Sequence, residues 1–176
     1  MDYELQAGIA IEPKLQRHLA EIFSEHGRET TELAFFLTGE PELAQDLAQE
    51  AFVRLFGRFS NVRNPDAVRV YLRRTVVNLA RSHFRKRKTE RSYAARLTGS
   101  GTANPSIRDV DQEEDMLRLL QLIPDRQRAA LILRFYFDLS ESQTAETLGV
   151  SDKTVNGLVR RGLTALRKKY EVPNGD

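Results

Sequence analysis

Residues 139–169 read LSESQTAETLGVSDKTVNGLVRRGLTALRKK, and this stretch decides how the rest of the chain is read. Ser140 with Gln143 three residues later is a capping-box pattern, which marks a helix start. That helix is short and stops at Gly149, because glycine accepts the left-handed backbone of a tight stop. Val150 follows, and Ser151 is placed to cap the next helix. Helix, short glycine-containing turn and helix together make a helix-turn-helix. Ala145, Gly149 and Val155 fall where two tightly crossed helices need a small, a turning and an apolar residue.

Helical phasing assigns faces to the second of these helices. Val155, Leu158, Val159, Leu163 and Leu166 cluster on one side and are expected to pack inward. Lys153, Asn156, Gly157, Arg160, Thr164 and Arg167 fall opposite. In a helix-turn-helix the N-terminal part of that exposed face enters the major groove. Asn and Arg can read base edges there, while Lys and the more distal Arg neutralise phosphates. An ordinary amphipathic surface helix would carry the same stripe. Capping, turn and small-residue spacing occurring together favour the DNA reader.

Outward from this motif, nearly every periodic segment reads as helix and no alternating strand is evident, so the fold class is all-α. Helices are expected at Pro13–Leu37, with Gly27 as a point of irregularity and Gly39 as the stop, and from Pro41 to about Phe56. Residues 57–65 (GRFSNVRNP) form a loop, and a long helix runs from Asp66 to Lys88 or beyond. Residues 98–106 (TGSGTANPS) have no periodicity and the composition of a flexible tether. Beyond it, helices are expected near Gln112–Leu122, Asp125–Phe137, Glu141–Leu148 and Asp152–Tyr170. The expected organisation is two small helical domains, an N-terminal bundle (13–92) and a C-terminal four-helix domain with the helix-turn-helix (112–171), joined by a flexible linker (93–111). An N-terminal extension (1–12) and a fraying tail (172–176) flank them.

Composition narrows the function classes. With 176 residues, 40% of them apolar, the chain has enough for cores, yet no stretch approaches the ~20 apolar residues of a membrane span. Met1–Ile11 lacks a secretory pattern, and a cytoplasmic protein is the natural expectation. Without cysteine there is no disulfide, thiolate site or thiol nucleophile, and His18, His26 and His83 have no metal-ligand spacing. Net charge is only +2, but it is unevenly laid out. Glu40 to Glu50 holds acids and no base, whereas Arg63 to Arg91 holds ten Lys or Arg against Asp66 and Glu90. Lys153 to Lys169 is basic again. Such blocks suggest separate surfaces for separate partners, the basic ones suited to a polyanion.

In the second helix, Leu43, Leu47, Ala51 and Leu55 form an inward stripe, while Glu42, Asp46, Gln49 and Glu50 share the other side with Val53. An acidic patch is a poor DNA surface and a good one for a basic protein, although a solvated helix face has the same look. The third helix, PDAVRVYLRRTVVNLARSHFRKRK (65–88), carries two apolar stripes. One is Val68, Tyr71, Leu72, Thr75, Val76 and Leu79; the other is Val70, Val77 and Phe84, spaced by seven. A helix apolar on two faces is expected to be sandwiched within a bundle. Arg74, Asn78, Arg81 and Arg85 lie between the stripes, a cationic and polar surface suited to single-stranded or melting DNA.

Together these segments resemble the extracytoplasmic-function (ECF) sigma factors, the minimal branch of the sigma-70 family. LTGEPELAQDLAQEAFVRLF (37–56) and residues 65–88 look like the two parts of the family's region 2, and residues 119–169 look like region 4. The resemblance implies a sigma factor that binds RNA polymerase core and directs promoter-specific initiation. It implies that Asp46, Gln49 and Glu50 dock on the clamp helices of the polymerase β′ subunit, and that the C-terminal domain meets the β flap. It gives recognition and opening of the −10 element to Asn61, Tyr71, Arg74, Asn78, Arg81 and Arg85, with the loop 60–65 supplying a pocket for a flipped base. It gives reading of the −35 duplex to Lys153, Thr154, Asn156, Gly157, Arg160, Arg161 and Arg167. The linker would thread along the active-site channel of the polymerase, and an anti-sigma protein is a further partner that the resemblance implies but no residue identifies. No catalytic residue, metal or cofactor is implied, because bond making belongs to the polymerase.

Two departures bear on the transfer. Tyr71-Leu72 stands where the family often has Trp-Leu, which keeps an aromatic face. Thr154-Val155-Asn156-Gly157-Leu158 stands where many members have Thr-Val-Lys-Ser-Arg, which removes basic and hydroxyl groups from the reading edge. The −35 preference is therefore expected to differ from the common one. Two rival classes remain at this point. A stand-alone helix-turn-helix regulator would bind duplex operator without polymerase. A nucleic-acid enzyme would use Asp109, Asp111, Glu113, Glu114 and Asp115 as metal ligands, although acids at a helix start also complement the helix dipole.

Overall fold

A computed structural model of the chain describes residues 13–58, 65–98 and 112–170. Residues 1–12, 59–64 with Asn61, 99–111 with Asp109 and Asp111, and 171–176 lie outside the described residues. All described elements are helical: α1 (Pro13–Thr38), α2 (Pro41–Gly57), α3 (Pro65–Thr98), α4 (Gln112–Gln121), α5 (Asp125–Leu131), α6 (Glu141–Leu148) and α7 (Asp152–Tyr170).

Local chemistry sets most of these boundaries. α1 ends where Gly39 takes φ +73°, with its N–H donating to the Phe35 carbonyl at 2.7 Å. Pro41 then opens α2 at a position where a missing N–H costs nothing. Gly27 does not interrupt α1; it is buried, with the Phe23 ring lying over it. α3 runs on to Thr98, into the stretch expected to be linker. α5 widens after Leu131 into a π-type turn over Ile132–Tyr136, closed by Phe137 N–H to the Ile132 carbonyl at 3.1 Å. The single expected helix Asp125–Phe137 is thus an α-helix followed by a wider turn, which leaves Phe135 and Tyr136 exposed.

The helix-turn-helix forms as its residues dictate. Ser140 Oγ accepts from the Gln143 N–H at 3.1 Å, and Gln143 Oε1 accepts from the Ser140 N–H at 2.8 Å. Gly149 sits at φ 64°, and Val150 N–H returns to the Ala145 carbonyl at 3.0 Å, closing a Schellman turn. Ser151 Oγ then accepts from Thr154 N–H at the start of α7.

On α7, Val155, Leu158 and Gly162 face inward, with Val159, Ala165 and Leu166 partly covered. Leu163, expected to pack inward, is instead 47% exposed. Each residue turns an α-helix by about 100°, so burying Gly162 carries Leu163 onto the shoulder. Gly162 is required for a close crossing with α5: a Cβ there would stand 2.9 Å from Leu131 Cδ1 and 3.1 Å from Leu131 Cγ. Leu131 is itself buried and has little room to yield. Gly162→Val is therefore expected to destabilise the chain by about 1–3 kcal/mol, the usual cost of overpacking. Chemical denaturation followed by circular dichroism measures it.

The core lies along both sides of α3. One side packs on α1 and α2; the other packs on α5 and α6. The sandwiching expected of a helix with two apolar stripes is present, and its second cover is the C-terminal set of helices. Val77, from the second stripe, is 1% exposed, and buried residues of α1–α3 and α4–α7 join in one cluster.

Candidate functional site

The side chains singled out in the sequence fall on three surfaces, each set by the helix period. On α2, Ala44, Leu47, Ala48, Ala51, Phe52 and Leu55 are buried, which turns Glu42, Asp46, Gln49 and Glu50 outward. Val53, 58% exposed, stands beside them, so the face is acidic with an apolar edge. Glu50 accepts from Arg54 Nε at 2.8 Å, an exposed pair one helical turn apart. Such a pair is worth about 0.3–0.5 kcal/mol and yields readily to a stronger cationic partner.

α3 presents the basic surface. Tyr71 is half-buried against the core, while Arg74, Asn78 and Arg85 are exposed and Arg81 is half-buried. Asn78, Arg81, Ser82, Phe84, Arg85 and Lys88 line a cleft of roughly 470 Å³ whose remaining wall is Asp125 of α5. Arg81 Nε lies 4.0 Å from Asp125 Oδ2, and the Arg74 guanidinium reaches toward Gly149 in the helix-turn-helix turn. Four residues assigned to the −10 element are thus brought to one face, and Arg74 and Arg81 there meet the C-terminal helices.

The third surface is the outer face of α7. Lys153, Asn156, Arg160, Arg161 and Arg167 are exposed, and Thr154 is half-buried with its hydroxyl 2.9 Å from Ser151 Oγ. Gly157 is half-buried because Arg161 lies over it; a Cβ at Gly157 would stand 3.2 Å from Arg161 Nη1. Arg160, Arg161, Thr164 and Lys168 also border a shallow groove closed by Pro124 and Gln127. The face carries Lys153, Arg160, Arg161 and Arg167 around the neutral Asn156 and Gly157, which matches the phosphate-plus-base chemistry of a groove-reading helix.

The junction between the two sets of helices is centred on Arg128, a residue that phasing did not single out. It is 5% exposed. Its guanidinium donates to the Leu37 carbonyl at 2.5 Å, to the Gln121 side-chain oxygen and to the Ile123 carbonyl at 3.3 Å. It lies 4.9 Å from the centre of the Phe84 ring. Burial lowers its pKa to about 10, with Asp125 acting weakly in the opposite sense, so the group stays charged at neutral pH. A buried cation is tolerated here because it meets carbonyls at the negative end of α1 and the face of an aromatic ring. Gln121 Nε2 donates to the Phe36 carbonyl at 3.1 Å, and the Phe36 and Tyr136 rings are in contact. One signal for Arg128 was available: it lies three and four residues before Leu131 and Ile132, on a buried stripe.

Among the described residues no group of three or more His, Cys, Asp or Glu could hold a metal ion, and no helix is long and apolar enough to cross a membrane.

The family model for Sigma-70 region 2 matches residues 22–90, and that for Sigma-70 region 4 matches residues 113–166. The chain is 30% identical over 135 residues to the RNA polymerase sigma-E factor of Streptomyces avermitilis, covering 77% of this chain and 75% of that protein. It is 27% identical over 167 residues to the ECF RNA polymerase sigma factor SigW of Bacillus subtilis, covering 88% and 89%. Among solved structures it resembles the sigma factor RpoE in complex with the anti-sigma factor NepR from Bartonella quintana, with a TM-score of 0.62, 17% identity and coverage of 92% and 99%.

Proposed function

The chain belongs to the extracytoplasmic-function branch of the sigma-70 family, whose members direct RNA polymerase to promoters, and we propose that it divides this work among the three surfaces described. The acidic face of α2 (Asp46, Gln49, Glu50) docks on the β′ clamp helices, and the C-terminal helices meet the β flap. The cleft face of α3, with Tyr71, Arg74, Asn78, Arg81 and Arg85 and with Asn61 ahead of it, binds the opened −10 strand. α7 reads the −35 duplex through Lys153, Thr154, Asn156, Gly157, Arg160, Arg161 and Arg167.

The observation that carries this reading is the pairing, on one chain, of a basic helix beside a cleft with a separate helix-turn-helix. A stand-alone operator-binding regulator has no need of the first. Each base held by stacking contributes ~1–3 kcal/mol, which offsets the cost of unstacking the promoter. The chain itself makes and breaks no bond, and it acts in the cytoplasm with the polymerase. An anti-sigma protein is a plausible further partner, since RpoE of Bartonella quintana was solved with one.

α5 and α6 pack on α3 and Asp125 walls the cleft, so the promoter-bound form is expected to have α5 and α6 moved off α3. In a reconstituted run-off assay, core polymerase with this chain is expected to give transcripts from defined start sites, and core alone to give none. Equal output from the two overturns the reading, and tight operator binding without polymerase would replace it with the stand-alone regulator.

A further inference from the structure

Asn156 is held in one orientation on the recognition helix. Its Nδ2 donates to Glu141 Oε2 at 2.9 Å, from α7 back to the first residue of α6. An ionised carboxylate only accepts, so the amide atom turned toward Glu141 is nitrogen. Glu141 is half-buried, at the first position of α6. If the N–H that reaches Glu141 is the one pointing away from the carbonyl, the second N–H and the carbonyl oxygen remain side by side on the free edge of the amide.

That edge has a specific complement. Adenine offers an acceptor at N7 and a donor at N6 in the major groove, and an Asn amide matches both at once. Guanine offers two acceptors there, which suits Arg or Lys instead. An unrestrained Asn could turn either way; the bond to Glu141 favours one of the two. The surroundings fit close approach to a base. Lys153 and Arg160 stand about one turn to either side on the same exposed face, available to phosphates, and the Arg161 guanidinium lies over Gly157 beside Asn156.

We propose that Asn156 is the specificity-determining residue for an adenine in the −35 duplex, with Glu141 as its positioning residue. The proposal rests on the reading of α7 as the −35 helix. It accounts for the replacement of the common Lys-Ser-Arg by Asn156-Gly157-Leu158: a directed amide takes the place of a cationic reading edge.

The test is transcription by core polymerase with the full chain on a promoter library randomised across the −35 element, for the unmodified protein and for N156A, E141A and E141Q. The unmodified protein should prefer adenine at one position. N156A should lose that preference, worth roughly 5- to 150-fold, and keep the others. E141A should lose part of it. E141Q should keep it, because a Gln oxygen still accepts from the Asn156 amide. Thermal melts check that the capping box of Ser140 and Gln143 keeps each variant folded. The proposal is overturned if N156A leaves every preference unchanged, if E141A matches the unmodified protein, or if E141A abolishes a cytosine preference, which would make the carboxylate itself the reader. If the unmodified protein selects no promoter at all, the assignment of the chain to promoter recognition falls instead, and the two failures are distinct.

Discussion

Replacing Arg128 with alanine is expected to lower the stability of the folded chain by about 2–4 kcal/mol and to free α4–α7 from α1–α3. Two opposing effects set the size. Removing the guanidinium leaves the Leu37 and Ile123 carbonyls and the Gln121 side chain without their donor, and empties the space over Phe84. Against that, removing a buried cation relieves the desolvation that pulls its pKa down to about 10. Because burial depresses this pKa, the folded chain binds the proton less tightly than the unfolded chain. The cost of the charged form is therefore present throughout the neutral range and eases only as pH rises through about 10. Filling the space without the charge separates the two effects. Arg128→Met should be less destabilising than Arg128→Ala, since its apolar chain fills the space over Phe84, but it still leaves the Leu37 and Ile123 carbonyls without their donor. Both variants lose the bond to α1, so both should show a larger radius of gyration in small-angle X-ray scattering. A compact, unmodified-like scattering profile in both would show that Arg128 does not hold the two sets of helices together.

What the sequence made legible was governed by short range. The capping box at Ser140 and Gln143, the left-handed stops at Gly39 and Gly149 and the cap at Ser151 each depend on four or five adjacent residues, and each formed as expected. The outward placement of Asp46, Gln49 and Glu50 followed from the period of α2 alone. Legibility stopped where a distant partner decides. The second stripe of α3 announced a neighbour, but that the neighbour would be α5 and α6 depends on contacts between residues distant in the chain. Arg128 finds its acceptors partly in α1, 91 residues away, and no local pattern encodes a carbonyl at that distance. Leu163 was misplaced because apolar phasing favours a leucine over a glycine, whereas the tight α5–α7 crossing needs the glycine inside. The orientation of Asn156 likewise depends on Glu141, 15 residues away on another helix.

Reversing the acidic face of α2 is expected to have the largest functional effect. Asp46→Lys combined with Glu50→Lys should weaken association with core polymerase on the order of 100- to 1000-fold, because like charges set against each other at an interface cost several kcal/mol. Folding should hardly change. Both side chains are exposed, and the one interaction lost is the exposed pair of Glu50 with Arg54, worth about 0.3–0.5 kcal/mol. Two controls separate a specific face from bulk charge. Glu21→Lys combined with Glu146→Lys makes the same change in net charge on exposed residues of α1 and α6 and should leave core binding within a few-fold. Raising ionic strength should weaken binding of the unmodified chain more steeply than that of the reversed variant, which has lost the screened attraction. Titration of fluorescently labelled chain with core polymerase measures all three proteins. If the α2 reversal binds as tightly as the α1–α6 control, the acidic face is a solvated helix surface and the docking site lies elsewhere on the chain.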